Sequence, residues 1–216
     1  MSKALYYLNL GLDYIDSGKY GKAIKSFKKA IVIDPDDPKA HLGLGIAYRG
    51  SDKYQEAIES CKQAIRIDPD DAEAHNELGA AYGKIGMTEK AIQSFKKAIE
   101  IDPDDAETYN ALGLAYGKTG MTEKAVQSFK KAIEIDPDTW AHFNLGVAYF
   151  NSGRFQEAVE PYKQAVRIDP DDPMANYGLG GAFFLSKDTG SALKQYEILK
   201  SLDSELADKF LSLMEQ

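Results

Sequence analysis

The chain has 216 residues, a formal net charge of −8 and 28% charged residues. This acidity argues against nucleic acid as the main partner, because phosphate binding needs a basic stripe. No apolar run approaches the ~18 residues of a membrane span, and the single cysteine excludes an internal disulfide. The opening residues Met1 to Tyr7 lack a secretory-leader pattern, so a reducing compartment, the cytoplasm, is the expected location.

An Ile-Asp-Pro-Asp phrase punctuates the chain. Pro35, Pro69, Pro103, Pro137 and Pro170 lie 34, 34, 34 and 33 residues apart. A fixed period of this size marks a repeat array. In chain order the repeats run 4–37, 38–71, 72–105, 106–138, 139–172 and 173–206, and the 33-residue step is placed in the loop near Asp138. The first carries Tyr7, Leu10-Gly11, Tyr14, Ala23, Phe27, Ala30 and Pro35. The second holds Cys61 where the first has Phe27, so Cys61 reads as a buried small hydrophobe. The third and fourth differ at only six of 33 paired positions, as after a recent duplication.

In the third repeat, apolar residues fall at Leu78, Ala81 and Tyr82, then at Ala91, Ile92, Phe95, Ala98 and Ile99. Spacings of three and four predict one apolar stripe on each of two helices. Gly83 and Gly86 suit the turn between them, with Thr88 as the expected N-cap of the second helix. Pro103 stops that helix, and Asp104 and Asp105 suit the positive end of the next one. The fifth repeat keeps Leu145-Gly146, Tyr149, Ala158, Tyr162, Ala165 and Pro170. Its Pro161 is predicted to bend the second helix on the outer face. The sixth replaces the small alanine with Leu199 and the proline with Ser204. The apolar spacing of Leu206, Phe210, Leu211 and Met214 then predicts a terminal helix at about 204–216 that caps the array.

Leu78-Gly79, Tyr82, Ala91, Phe95, Ala98 and Pro103, with His75 in the leading aromatic slot, resemble the tetratricopeptide repeat (TPR) family over nearly the whole chain. The resemblance implies an all-α, right-handed superhelical α-solenoid of six helix-turn-helix units plus a C-terminal capping helix, forming one domain. It implies that first helices line a concave groove and second helices a convex outer side. There Lys28-Lys29, Lys96-Lys97 and Lys130-Lys131 are expected to be solvated and paired with acids. A groove that grips the acidic tail of heat-shock chaperones needs lysine, arginine and asparagine. Leu8, Leu12, Gly43, Glu73 and Glu77 occupy those positions, so that use is not expected, although Asn9 matches one element.

Chemistry is not expected. His41, His75 and His142 share one slot a repeat or more apart, with no zinc-ligand spacing. No phosphate loop or nucleophile elbow occurs. Gly178 and Gly180-Gly181 sit inside a helix with no strand before them, and the Asp-Pro-Asp-Asp phrase lacks the calcium-loop length and closing glutamate. No enzyme activity, cofactor or metal is predicted.

The groove positions differ along the chain. The middle repeats offer small polar residues, Asn110 among them. The fifth offers Trp140, Phe143, Asn144, Val147 and Phe150, and the sixth offers Met174, Tyr177, Phe184 and Leu185 beside the glycine hollows of Gly178 and Gly181. This aromatic patch is the predicted binding site for a peptide or helix of a partner protein. Trp140, Phe143, Val147, Phe150, Tyr177 and Phe184 would anchor apolar side chains, and Asn110 and Asn144 would bond a ligand backbone. In the alternative, Leu5, Leu8 and Leu12 of the first helix dock into the groove of another copy, head to tail, giving a homo-oligomer. The array is also compatible with being a module of a larger protein.

Overall fold

The computed structural model describes residues 2–137 and 140–215. They form thirteen α-helices and no strand. The helices gather into two compact bodies, Met1–Ala115 and Tyr116–Gln216. The first holds α1 (Lys3–Asp16), α2 (Tyr20–Ile33), α3 (Pro38–Arg49), α4 (Tyr54–Ile67), α5 (Ala72–Lys84) and α6 (Thr88–Ile101), and the boundary falls within α7 (Ala106–Lys118). The second holds α8 (Thr122–Ile135), α9 (Ala141–Asn151), α10 (Phe155–Ile168), α11 (Pro173–Leu185), α12 (Thr189–Leu202) and α13 (Ser204–Met214).

The acidic phrase between repeats does two jobs. Its first aspartate accepts from a backbone N–H two residues on, as Asp102 Oδ1 does from Asp104 N at 3.1 Å. Its last caps the following helix: Asp71 Oδ1 accepts from Ala74 N at 3.0 Å, and Asp172 Oδ1 from Met174 N at 2.9 Å. Such a cap stabilises a helix by about 1 kcal/mol. The expectation for Thr88 is corrected. Met87 occupies the cap position, without a side-chain cap, and Thr88 is already helical. The turn is held instead from the preceding helix, where Gly86 takes φ +77° and the Met87 N–H returns to the Tyr82 carbonyl at 3.0 Å. That closure needs a left-handed residue, which glycine supplies cheaply.

The histidine slot is a staple for the same loops. His41 Nε2 lies 2.9 Å from the Pro35 carbonyl, His75 Nε2 3.0 Å from that of Pro69 and His142 Nε2 2.9 Å from that of Pro137. A carbonyl only accepts, so Nε2 must carry the proton. In the sixth repeat Asn176 Nδ2 makes the equivalent bond to Pro170, at 3.0 Å.

Packing rests on rings pressed against glycine. In the first body, a Cβ added at Gly11 would lie 2.6 Å from the Phe27 ring, and one at Gly43 would lie 2.5 Å from it. Phe27 is therefore held between the first helix of its own repeat and that of the next. In the second body Tyr162 is held the same way, with added Cβ atoms 2.8 Å away at Gly146 and 2.6 Å away at Gly178. At the C-terminal end Phe210 and Leu199 are fully buried with Ala192 and Ala207, which docks α13 onto the sixth repeat. Pro161 also departs from expectation. It is buried rather than on the outer face, and α10 runs through it. It takes the inward position that Ser26, Ser60, Ser94 and Ser128 hold elsewhere.

Gly43→Ala should destabilise the protein by about 1–3 kcal/mol, because the buried Phe27 ring has little room to yield. Gly117 is exposed with nothing within 4 Å of an added Cβ, so Gly117→Ala should stabilise by up to about 1 kcal/mol. Urea unfolding of the two variants tests the opposite signs.

Candidate functional site

In the second body, α9 and α11 pack side by side. Their contact is direct, since a Cβ at Gly181 would lie 3.2 Å from the Phe150 ring. This brings together most of the predicted aromatic patch. Trp140, just ahead of α9, is 64% exposed, and Met174 at the start of α11 is 54% exposed. Leu185 is exposed at the other end of α11. Phe143, Asn144, Val147 and Phe150 are half-buried. Phe143 stands edge-on to Tyr162 with centroids 5.8 Å apart, and Phe150 edge-on to Phe155 at 5.2 Å. Both rings are thus partly covered by a neighbouring ring and partly open to solvent.

Three expectations change. The glycine hollows are filled from within: Tyr162 occupies the space beside Gly178 and Phe150 that beside Gly181. Tyr177 and Phe184 are half-buried against the Ala192, Leu199, Ala207 and Phe210 cluster under α13, with Tyr177 5.8 Å from Phe210 in an edge contact. Much of their apolar surface is therefore used in internal packing. Leu8 is 7% exposed and belongs to the core, whereas Leu5 and Leu12 are exposed on α1. Asn110 lies in the first body and is half-buried.

The sequence reading missed a charged feature in the first body. Arg49 at the end of α3 grips Glu77 of α5 with two hydrogen bonds, Nε to Oε2 at 2.6 Å and Nη2 to Oε1 at 3.0 Å. Glu77 sits in the slot that Gly43 and Gly178 occupy elsewhere, where the glycine faces an aromatic ring. Cys61 is the smaller residue in the ring position beside it, and Cys61 and Glu77 interact. Burial first, then the Glu77 charge, pushes the Cys61 thiol up to about 12, which favours the neutral thiol over the thiolate. Glu73, on the same helix, has its carboxyl pushed upward by burial and by Asp71, Glu77 and Asp105. The signal for this pair was the exchange of glycine for glutamate and phenylalanine for cysteine at matched positions.

The outer lysines are accounted for in two ways. Lys97 pairs with Glu100 and Lys131 with Glu134, each at 3.1 Å. Lys28 and Lys130 reach forward over the Tyr48 and Tyr149 rings, 5.7 and 5.8 Å from their centroids, a favourable cation–π geometry. Among the described residues, no group of three or more His, Cys, Asp or Glu side chains could hold a metal ion, and no helix is long and apolar enough to cross a membrane.

Comparison with known families fits this geometry. The family described as TPR repeat matches residues 11–51, 47–86, 84–120 and 148–187, and that described as Tetratricopeptide repeat matches 106–139. The chain belongs to the tetratricopeptide repeat family, whose members are generally non-catalytic scaffolds for protein interaction. A crystal structure of MamA is 32% identical, covers 74% of this chain and 94% of its own, and superposes with a TM-score of 0.68. PilF of Pseudomonas aeruginosa is 19% identical, covers 97% of this chain and 96% of its own, and has a TM-score of 0.84. YrrB, titled a TPR protein with an unusual peptide-binding site, is 22% identical, covers 84% of this chain and 95% of its own, and has a TM-score of 0.70. At these identities PilF and YrrB show the fold alone. No curated protein matches the sequence.

The raised carboxyl of Glu73 gives a pH test. A carboxyl held above its unfolded value takes up a proton more readily when folded, so its contribution falls as pH rises through the ordinary carboxylate range, about 4.3. Glu73→Gln should therefore raise the melting temperature at neutral pH, and the gain should vanish at about pH 3. Paired thermal melts at the two pH values measure it.

Proposed function

We propose that this chain is a non-catalytic scaffold. In this reading it binds an extended or helical segment of a partner protein on the face formed by α9 and α11. The observation that carries the reading is the exposure of Trp140 and Met174 beside half-buried Phe143, Val147 and Phe150 on two packed helices. Large apolar side chains held rigid and half-solvated lose little freedom when a ligand covers them, and aromatic residues of this kind dominate binding energies. In this reading Asn144 would bond a ligand backbone. Asn110 would serve a ligand that runs along the first body. Tyr177 and Phe184 support the surface from below rather than anchoring the ligand.

Selection from a random peptide library against the wild-type protein provides the ligand for a test. Trp140→Ala with Met174→Ala should weaken the selected peptides at least about tenfold, a loss of about 1.4 kcal/mol or more, with circular dichroism and melting unchanged. Peptides bound equally by the variant would overturn the reading. Tyr177→Ala should instead cost about 2 kcal/mol of stability, roughly half the penalty of a fully buried ring.

A second reading rests on Leu5 and Leu12, which α1 leaves exposed, and has α1 dock onto another copy. Continuation of the stack end on end is opposed by the first repeat itself. Tyr6 and Asp13 are exposed there, while the matching Ala40 and Ala47 of the second repeat are fully buried. A copy covering that end would bury Asp13 without a partner. Leu12→Glu should abolish any rise of mass with concentration in light scattering. A constant wild-type mass near 24 kDa, the mass of one chain of 23.8 kDa, would remove this second reading.

A further inference from the structure

The second helices of the six repeats carry different charges. Helix α2, YGKAIKSFKKAIVI, has four lysines and no acid. Its counterpart α6, TEKAIQSFKKAIEI, has three lysines and two glutamates, and α8 repeats those charges. Helices α4, α10 and α12 each contain at least one glutamate. One exchange is pointed. Glu100 and Glu134 pair with Lys97 and Lys131 three residues earlier. At the matching place in the first repeat Val32 follows Lys29, so the acid has been replaced by a valine that is 81% exposed. Among the described residues Lys3, Lys28 and Lys29 form no ion pair, although Lys28 and Lys29 lie 5.7 and 5.1 Å from the Tyr48 and Tyr7 ring centroids.

These residues surround a concavity. A cleft of about 380 Å³ between α1 and α2 is lined by Lys3, Tyr7, Lys28, Lys29, Val32 and Ile33. It lies where the start of α1 meets the end of α2, and the α9–α11 face contributes none of its lining. We propose that this cleft docks an acidic segment of a partner protein, with an apolar side chain seated against Val32 and Ile33 and flanking carboxylates meeting Lys3, Lys28 and Lys29. Charge complementarity selects the occupant. Residues 1–33 contain six lysines and two aspartates, +4, which leaves −12 for the remainder of a −8 chain. A short segment within about one Debye length, ~8 Å, meets the basic cleft alone. An anionic bilayer, extended well beyond that distance, is opposed by the net charge of −8 of the whole chain.

The test uses a fluorescein-labelled peptide of alternating glutamate and leucine, followed by anisotropy. The wild-type protein should bind it, more weakly as salt rises, without altering Trp140 fluorescence. That separates this site from the α9–α11 face, whose failure or success leaves this result unaffected. Val32→Glu restores the acid of the third and fourth repeats. It should weaken binding at least about tenfold while the protein melts no lower than wild type. Lys29→Gln, which adds no charge, should weaken binding in the same direction. Equal binding by wild type and both variants would overturn the proposal, as would no binding by the wild type. Vesicles of phosphatidylserine and phosphatidylcholine that bind in a Val32→Glu-sensitive way while the peptide does not would assign the cleft to a membrane instead. A wild-type mass that rises with concentration and is reset by Val32→Glu would assign it to a second copy of the chain.

Discussion

Phe27 fits between α1 and α3 because Gly11 and Gly43 present bare backbone to its ring. Each added Cβ would come within 2.6 Å of that ring, closer than packed carbon atoms tolerate, so the contact fixes how near one helix lies to the next. The ring belongs to a second helix and touches the first helices of two successive repeats, so it sets both the pairing within a repeat and the stacking between repeats. Tyr162, between Gly146 and Gly178, does the same in the second body. A single repeat exposes half of such a clasp and gains full burial only with a neighbour, which is why the architecture is stable as an array.

Once the clasp is fixed, the positions around it vary by compensation. Where Glu77 takes the glycine slot, Cys61 takes the ring slot, and Arg49 meets the carboxylate that would otherwise be buried alone. The bidentate geometry and the half-buried setting make this pair stronger than the exposed ones along the second helices. At the C-terminal end Leu199 replaces a small alanine, and Phe210 of α13 lies against Gly180, at the glycine position that elsewhere meets the repeat's own ring, Phe27 or Tyr162. At the N-terminal end Tyr6 and Asp13 make polar a face that alanine makes apolar elsewhere. The framework is thus repeated, and the differences mark its ends and the places proposed for partners.

Much of this was legible in the residues. The three- and four-residue spacings marked the paired helices, and the loss of proline at Ser204 marked α13. The caps at Asp71, Asp105 and Asp172 followed from aspartate chemistry alone. The site was less legible, because a first helix packs against several neighbours, four in the case of α3 and of α11, and its periodicity cannot say which covers a given residue. Leu8 went inward while Leu5 and Leu12 stayed out. Gly178 and Gly181 looked like hollows, but the rings that fill them come from α10 and α9, remote in sequence. The Arg49–Glu77 pair joins residues 28 positions apart, so helical periodicity does not show it, and only the exchange of glycine for Glu77 and phenylalanine for Cys61 at matched repeat positions marks the place. Thr88 failed as a cap because the preceding turn, through Gly86, already held the chain.

The central claim is that the α9–α11 face, with Trp140 and Met174 outermost, is where a partner segment lies. Amide chemical-shift mapping of isotope-labelled protein, titrated with a library-selected peptide, tests it most directly. The account predicts shifts concentrated in residues 140–150 and 174–185, with the indole N–H of Trp140 among the largest. Shifts concentrated instead on α8, α10 and α12, with the indole unmoved, would contradict it.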